Sequence, residues 1–367
     1  MSDQHIFLTG GTGILGHEIL PRLLNRFPFS TVSVLVRAEH DEAAGKRRRD
    51  LFRYLAVFHP GVDPTRIEVL RGDITKHGLG IEPATYARLR QCVTHVIHAA
   101  ATIKLSVPPA CAKAVNVGGT AEVLRLAQAC VRLRRFAHIS TAYVAGTRTG
   151  RILESESRVP SGFLNAYEES KFRGETIVHD AMRSIPVSVF RPGILVGDSR
   201  DGHIASQATL YVPLRHILEG SLRSIPGDPE APLDLIPVDV AAECIVRLLD
   251  RDVSVGRTYH VTAGRENLVT VREFLRAAMH QYGAAPVPPL TFRDPAAAVA
   301  NHQKAFRSFF DYLSLRKEFD DSCLRSDLGG FLPPRPHPTA YLAPLLDFCR
   351  RTHWGAGAPW EDMQCAS

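Results

Sequence analysis

No Cys-x-x-Cys pair occurs in the 367 residues, and the cysteines number seven, an odd count. Cys92, Cys111, Cys130, Cys244, Cys323, Cys349 and Cys365 lie scattered along the chain. This excludes a disulfide frame and a thiolate zinc site, and it suits reduced thiols in a cytosolic protein. Also missing is any apolar run near the roughly 18–20 residues that a membrane-spanning helix requires. A strand-like run begins almost at the first residue, so no secretory leader is expected, and a soluble cytoplasmic protein is. There is no internal repeat and no low-complexity tract. Excess charge of either sign is small. The formal net charge of +6, with arginines dispersed, is too modest for a nucleic-acid binder, but it suits an anionic ligand such as a phosphorylated cofactor.

What is present is ordinary in bulk and specific in order. Apolar residues make up 45% and charged residues 22%, enough for one large core or a core with a smaller appended unit. His5-Ile6-Phe7-Leu8-Thr9 reads as a strand that stops at Gly10-Gly11-Thr12-Gly13-Ile14-Leu15-Gly16. Ile19, Leu20, Leu23 and Leu24 then follow at helical spacing. Strand, glycine turn and helix form the setting of a dinucleotide fingerprint. The glycines admit the backbone to a pyrophosphate, and the helix N-terminus favours its charge. Pro21 inside the helical pattern predicts a kink.

A second strand, Val32 to Val36, ends at Arg37. An acidic residue there would bind a ribose 2′-hydroxyl, whereas arginine suits a 2′-phosphate and points to NADPH. Lys46-Arg47-Arg48-Arg49 on the next helix reads as a solvated face, with one member, Arg47, available to assist Arg37. Ile67 to Leu70 is a third strand closed by Gly72-Asp73-Ile74-Thr75. Asp73 there either accepts from an adenine amino group or builds a turn. A fourth strand, His95-Val96-Ile97, runs into His98-Ala99-Ala100-Ala101-Thr102, whose small residues let a cofactor lie close. His98 reads as a packed histidine rather than a catalyst.

Ala110 to Leu133 reads as one long helix containing Asn116. This asparagine either bonds to a neighbouring strand, holds a water near Lys171, or is purely structural. The fifth strand, Phe136 to Ile139, delivers Ser140 and Thr141. Tyr167 and Lys171, four apart, share one face of a helix. An ammonium beside a phenol favours phenolate. Lowering a phenol of pKa ~10 by roughly three units corresponds to about 4 kcal/mol, which the ammonium and an oxidised nicotinamide ring are expected to share. A sixth strand, Val187 to Phe190, leads to Arg191-Pro192-Gly193-Ile194, and Thr258 to Val261 is the last. Strands alternating with helices predict a Rossmann-type doubly wound parallel sheet of α/β class.

The NADP-binding core is expected over residues 1–198, completed by 238–262. A smaller, mostly helical substrate-binding portion is expected over 199–237 and 263–367. From Thr270 onward helices divided by proline-rich joints are expected, at Pro286-Val287-Pro288-Pro289 and Pro333-Pro334-Arg335-Pro336. A helical segment is expected over Phe306 to Phe319.

Over roughly the first 265 residues these stretches together resemble the extended short-chain dehydrogenase/reductase superfamily. Several are similar to its fatty acyl-CoA reductase and thioester reductase branch. They are Leu8 to Gly16, Val34 to Arg37, Gly72 to Thr75, His98 to Lys104, Asn116 to Thr120 and His138 to Val144. The resemblance implies Thr141, Tyr167 and Lys171 as the catalytic set, with Asn116 a candidate fourth member. It implies that Gly10, Gly13 and Gly16 hold a pyrophosphate, Arg37 a 2′-phosphate and Asp73 the adenine. The wider cofactor-binding set comprises Thr9, Thr12, Ile14, Leu15, Arg47, Ile74, Ala99, Ala100, Ala101, Asn116, Tyr167, Lys171, Pro192, Gly193 and Ile194. No metal is implied.

The implied activity is NADPH-dependent reduction of an acyl thioester, carried on coenzyme A or a carrier protein, to an aldehyde, with the choice between aldehyde and alcohol as end product left open. A homodimer is the commonest symmetric arrangement for such a chain. The alternatives are a ketone or aldehyde reductase or a nucleotide-sugar epimerase or dehydratase on the same fold, or an NADP-sensing binding module. Two departures stand out. Gly193 occupies a position where relatives frequently carry serine, and the portion after Thr270 matches no motif.

Overall fold

The computed structural model describes residues 4–156, 162–207, 210–283, 290–294 and 307–355. Strand β1 (His5–Thr9) buries Ile6, Phe7 and Leu8 completely, which demands cover on both faces. It is followed by α1 (Ile14–Arg26), β2 (Thr31–Arg37), α2 (Asp41–Phe58), β3 (Ile67–Gly72), α3 (Pro83–Cys92) and β4 (His95–His98). Then come α4 (Gly119–Ala129), β5 (Arg135–Ile139), α5 (Ala166–Ala181), β6 (Val187–Pro192), α6 (Val238–Leu249) and β7 (Arg257–Val261).

The seven strands make one parallel sheet in the order β7-β6-β5-β4-β1-β2-β3. Leu23, Leu51 and Ile245 of α1, α2 and α6 belong to one apolar cluster against it, and Leu89, Val123 and Val178 of α3, α4 and α5 to another. β1 pairs with both β2 and β4, so the strand order reverses there. The crevice at the carboxyl ends of these strands is where such sheets take their ligands.

Two helical expectations fail. The helix from Ala110 ends at Ala129 rather than Leu133 and passes through a π turn at Lys113–Gly118. Cys130 leaves it in an extended conformation, and Val131 N–H donates to Arg90 O as the chain turns into β5. Only Arg307–Phe310 is α-helical in the segment expected to be one helix to Phe319, and Lys317–Phe319 is a strand paired with Gly150–Ile152. The Lys317 ammonium donates to Gly146 O, and the Phe319 ring meets His260, so tertiary contacts override the helical period. Phe306 and the joint at Pro286 to Pro289 lie outside the described residues. Helix α1 continues through the buried Pro21.

A third apolar cluster, including Leu214, Leu233, Phe274, Phe310 and Leu342, forms a cap that packs onto Ile14 and Ile194. A polar clasp fixes cap to core. Glu18 of α1, fully buried, accepts on Oε1 from Tyr54 (2.7 Å) and meets His59 (3.1 Å) and His203 (3.0 Å). Its Oε2 pairs with Arg22 at 2.6 Å. Although Glu18, His59 and His203 bring potential metal ligands within 4.8 Å, every Glu18 oxygen is engaged by protein, as in an ion-pair clasp. No helix among the described residues is long and apolar enough to cross a membrane.

The clasp makes stability depend on pH. Burial would lower the His203 pKa, but hydrogen bonds to Asp201 and Glu18 outweigh it and raise it to about 9. A raised folded-state pKa contributes stability that is complete below about 6.5 and is lost as pH rises through about 9. The expected loss is on the order of 3 kcal/mol. Thermal melts between pH 6 and pH 10 should show this decline in the native protein and a flattened one in His203→Asn. Equal slopes in the two would refute the clasp's role.

Candidate active site

The glycine turn after β1 is shaped by close approach. Gly10 has φ +73°, and a Cβ on it would lie 2.5 Å from Ala100 N. A Cβ on Gly16 would lie 2.0 Å from Gly10 O, so α1 can approach the turn only with glycine there. Helix α1 begins at Ile14 with no side-chain cap and no acidic residue in its first turn, leaving its N–H groups open to an anion. A cavity of about 630 Å³ lies over this turn. Among the cofactor candidates it is lined by Thr9, Gly10, Thr12, Gly13, Arg37, Arg47, Asp73, Ile74, Ala99, Ala100 and Ala101. An uncapped helix end beside a cradle that any Cβ would fill fits a dinucleotide pyrophosphate.

Arg37 and Arg47 also face an adjoining cavity of about 580 Å³, with Arg71 and Lys76, two cations that the sequence reading did not single out. Arg71 is held by Asp41 at 3.1 Å, and Arg48 lies over the Phe52 ring instead. The two readings of Asp73 coexist in space. Its Oδ1 accepts from Thr75 N (2.9 Å) and Thr75 Oγ1 (2.8 Å), building the turn, while the residue still lines both cavities.

Several candidates lie elsewhere. The Leu15 side chain is in the core, and Ile14, Gly193 and Ile194 line a separate apolar pocket. Asn116 is buried in the π turn and does not line the cofactor cavity. Its Oδ1 accepts from Thr102 N (2.9 Å), and its Nδ2 donates to Thr102 O (3.1 Å) and Ser170 Oγ (2.9 Å). It ties the segment after β4 to the helix bearing Lys171. π turns recur where a helix must re-aim a side chain for function.

His98 is likewise fully engaged. Thr120 Oγ1 donates to Asn116 O (2.7 Å), so it accepts from His98 Nε2–H (3.0 Å), and His98 Nδ1 accepts from Thr9 Oγ1 (2.8 Å). Burial holds this imidazole down at about 3, so it is neutral.

Helix α5 is capped by Asn165, whose Oδ1 accepts from Glu168 N at 3.1 Å. That cap puts Tyr167 in the first turn and Lys171 one turn on. Lys171 Nζ donates to Ile139 O at 2.7 Å, pinning the helix to the end of β5 beside Thr141. Burial lowers Lys171 to about 8, against the pull of Glu175.

The phenol departs from the expectation of an acidified group. Burial raises Tyr167 to about 12, with the Thr141 hydroxyl pulling it partly back. Tyr167 therefore carries its proton at neutral pH. Thr141 and Tyr167 both line an apolar pocket of about 160 Å³ with Ile14, Ile103, Leu195 and Phe309, and Ile103 also borders the cofactor cavity. The pocket residues from Ile204 to Tyr312 come from the portion expected to bind substrate, but without a motif there no single residue could be assigned to the pocket from the sequence.

The chain that builds this site has known relatives. A family model described as "Male sterility protein", of NAD-binding type, matches residues 8–245. The chain belongs to this family. It lies on the fatty acyl-CoA reductase and thioester reductase branch of the extended short-chain dehydrogenases, and a nicotinamide dinucleotide is its cofactor.

"Fatty acyl-CoA reductase wat" of Drosophila melanogaster is 29% identical over 321 residues, covering 77% of this chain and 61% of that protein. "Carboxylic acid reductase" of Mycobacterium tuberculosis is 29% identical over 296 residues, covering 74% of this chain and 25% of that protein. The chain thus spans less than two thirds of these relatives. Among solved structures, the terminal R domain from the myxalamid PKS-NRPS biosynthetic pathway superposes with TM-score 0.79 at 27% identity, over 97% of this chain and 92% of that one.

Proposed function

We propose that the chain reduces an acyl thioester with NADPH, releasing a thiol and an aldehyde. The observation that carries this reading is the apolar pocket that presents Thr141 and a protonated Tyr167 beside the dinucleotide cavity. The nicotinamide, when bound, supplies the hydride. Tyr167 and Thr141 hydrogen bond to the substrate's carbonyl oxygen and stabilise the negative charge that develops there. Because Tyr167 is protonated, it can hand its proton to that oxygen, as a reduction requires. Lys171, fixed by Ile139 O, holds the helix turn that presents Tyr167 and supplies positive charge behind it. The apolar wall keeps water from the thioester, so that reduction outcompetes hydrolysis.

Arg37 and Arg47, with Arg71 and Lys76 beside them, are the residues that would hold a 2′-phosphate, which favours NADPH over NADH. The family resemblance supports coenzyme A or a carrier protein as the source of the acyl group. The test is turnover of NADPH with a panel of acyl-CoAs, acyl-carrier thioesters and nucleotide sugars. NADPH loss with thioesters and none with sugars is expected. The reverse pattern would replace this reading with an epimerase or dehydratase.

A further inference from the structure

The turn that carries Thr141 is gripped by a segment far away in the chain. It is a short 3-10 turn over Ala142–Ala145, capped at its start by Thr141, whose Oγ1 accepts from Tyr143 N–H at 3.3 Å. It closes at Gly146, φ +62°, whose N–H donates to Tyr143 O at 3.0 Å. Lys317, 171 positions later, holds that closing end: its ammonium donates to Gly146 O and lies over the Tyr143 ring, 5.3 Å from the ring centre. The same ring meets Phe319 edge to face at 5.6 Å and Tyr312 at 5.0 Å. Phe319 also packs with Ala142 and Ala145 of the turn and with Ile152. One stretch of the cap thus closes around Tyr143, which lines the apolar pocket together with Thr141 and Tyr167. The ammonium is a costly way to fill this space. Lys317 is 4% exposed, and burial pulls it down to about 8 against the charge of Glu168. Both of its contacts lie on one turn, whose other end is the reacting hydroxyl.

We propose that Lys317 is a positioning residue for the reduction: by gripping Gly146 O and the Tyr143 ring it holds the Thr141 hydroxyl in line with that of Tyr167. This rests on the thioester-reductase reading, in which both hydroxyls meet the developing oxyanion. Such donors work only where they are aimed, and a displacement of about 1 Å costs roughly 10²-fold in rate. Without the ammonium, the buried Gly146 carbonyl loses its partner and the turn loses its anchor at the end opposite Thr141. Lys317, Tyr143 and Phe319 do not line the cavity over the glycine turn, so the effect falls on the chemistry and spares cofactor binding. The cap accordingly does more than wall the pocket, since it also sets the geometry of the reacting pair.

The experiment is a double-mutant cycle on kcat with an acyl-CoA, with folded sites counted by fluorescence titration of NADPH. Lys317→Met should lower kcat per site by about 10- to 100-fold and leave the KM for NADPH within about twofold of the native value. In a Thr141→Ala background the same substitution should cost less than about threefold, because the hydroxyl it positions is gone. Phe319→Leu leaves the ammonium in place and should show a smaller loss that vanishes in the same background. It decides the question if Lys317→Met does not fold. Losses that multiply in the double variants, a native kcat in Lys317→Met, or a KM for NADPH that rises as kcat falls would each overturn this inference alone. Failure of the native protein to reduce any thioester overturns both it and the functional reading beneath it.

Discussion

Tyr167→Phe should lower kcat by about 10²- to 10⁴-fold while NADPH affinity stays within about threefold of the native value. The asymmetry follows from where the hydroxyl stands. Tyr167 lines the apolar pocket with Thr141, and it does not line the cavity over the glycine turn. In the proposed mechanism, removing its oxygen takes away a proton donor and a hydrogen bond to the developing oxyanion, both of which act only as the carbonyl is attacked.

The direction of the Tyr167 shift bears on which form of the phenol meets the substrate. Burial pushes Tyr167 up to about 12, which suits the proposed role of proton donor in the reducing direction. Rate measurements with saturating thioester, paired with fluorescence titration of NADPH, separate the two quantities. A variant retaining native kcat would remove Tyr167 from the chemistry. One losing cofactor binding in proportion would make it a structural residue.

Arg37→Glu should raise the KM for NADPH by about 10- to 100-fold and leave the weaker use of NADH nearly unchanged. Arg37 ends β2 with its side chain exposed and lines both cavities, and no ion pair engages it among the described residues. Its charge is therefore available to a phosphate. Arg47 and Lys76 border the same space, so one substitution should weaken the grip rather than abolish it. Glutamate also supplies an acceptor for a ribose 2′-hydroxyl, which is why NADH should not suffer alongside NADPH. If the native protein uses the two cofactors equally, or if both KM values rise together in the variant, the 2′-phosphate assignment fails.

The parts of the site legible in the sequence are those written locally. The turn from Gly10 to Gly16 declares itself because glycine there answers to backbone crowding within a few residues, and Gly16 lies against Gly10 O. The Rossmann frame was readable because each strand is a short apolar run closed by small or turn residues. The four-residue spacing of Tyr167 and Lys171 likewise survives as one helix face.

What the sequence hides is set by distant partners. Asn116 lies in a π turn whose reason is Thr102 on one side and Ser170, 54 positions away, on the other. Lys317–Phe319 has the spacing of a helix but pairs with Gly150–Ile152, because a buried ammonium needs Gly146 O. Tyr312 gains its meaning from Asn165, 147 positions earlier, and no local pattern reports such a contact. Lys171 alone does not acidify the phenol, for a related reason. Spacing placed the ammonium near Tyr167, but spacing carries no information on burial, and burial sets the direction of the shift.

The central claim is that hydride reaches a thioester carbon and a thiol leaves. The most direct measurement is free thiol released per NADPH oxidised when the pure protein meets an acyl-CoA. One thiol per NADPH with aldehyde as product, or one per two with alcohol, is the predicted result. Thiol without NADPH loss would make the protein a hydrolase, and NADPH loss without thiol would place the reduction on some other carbonyl.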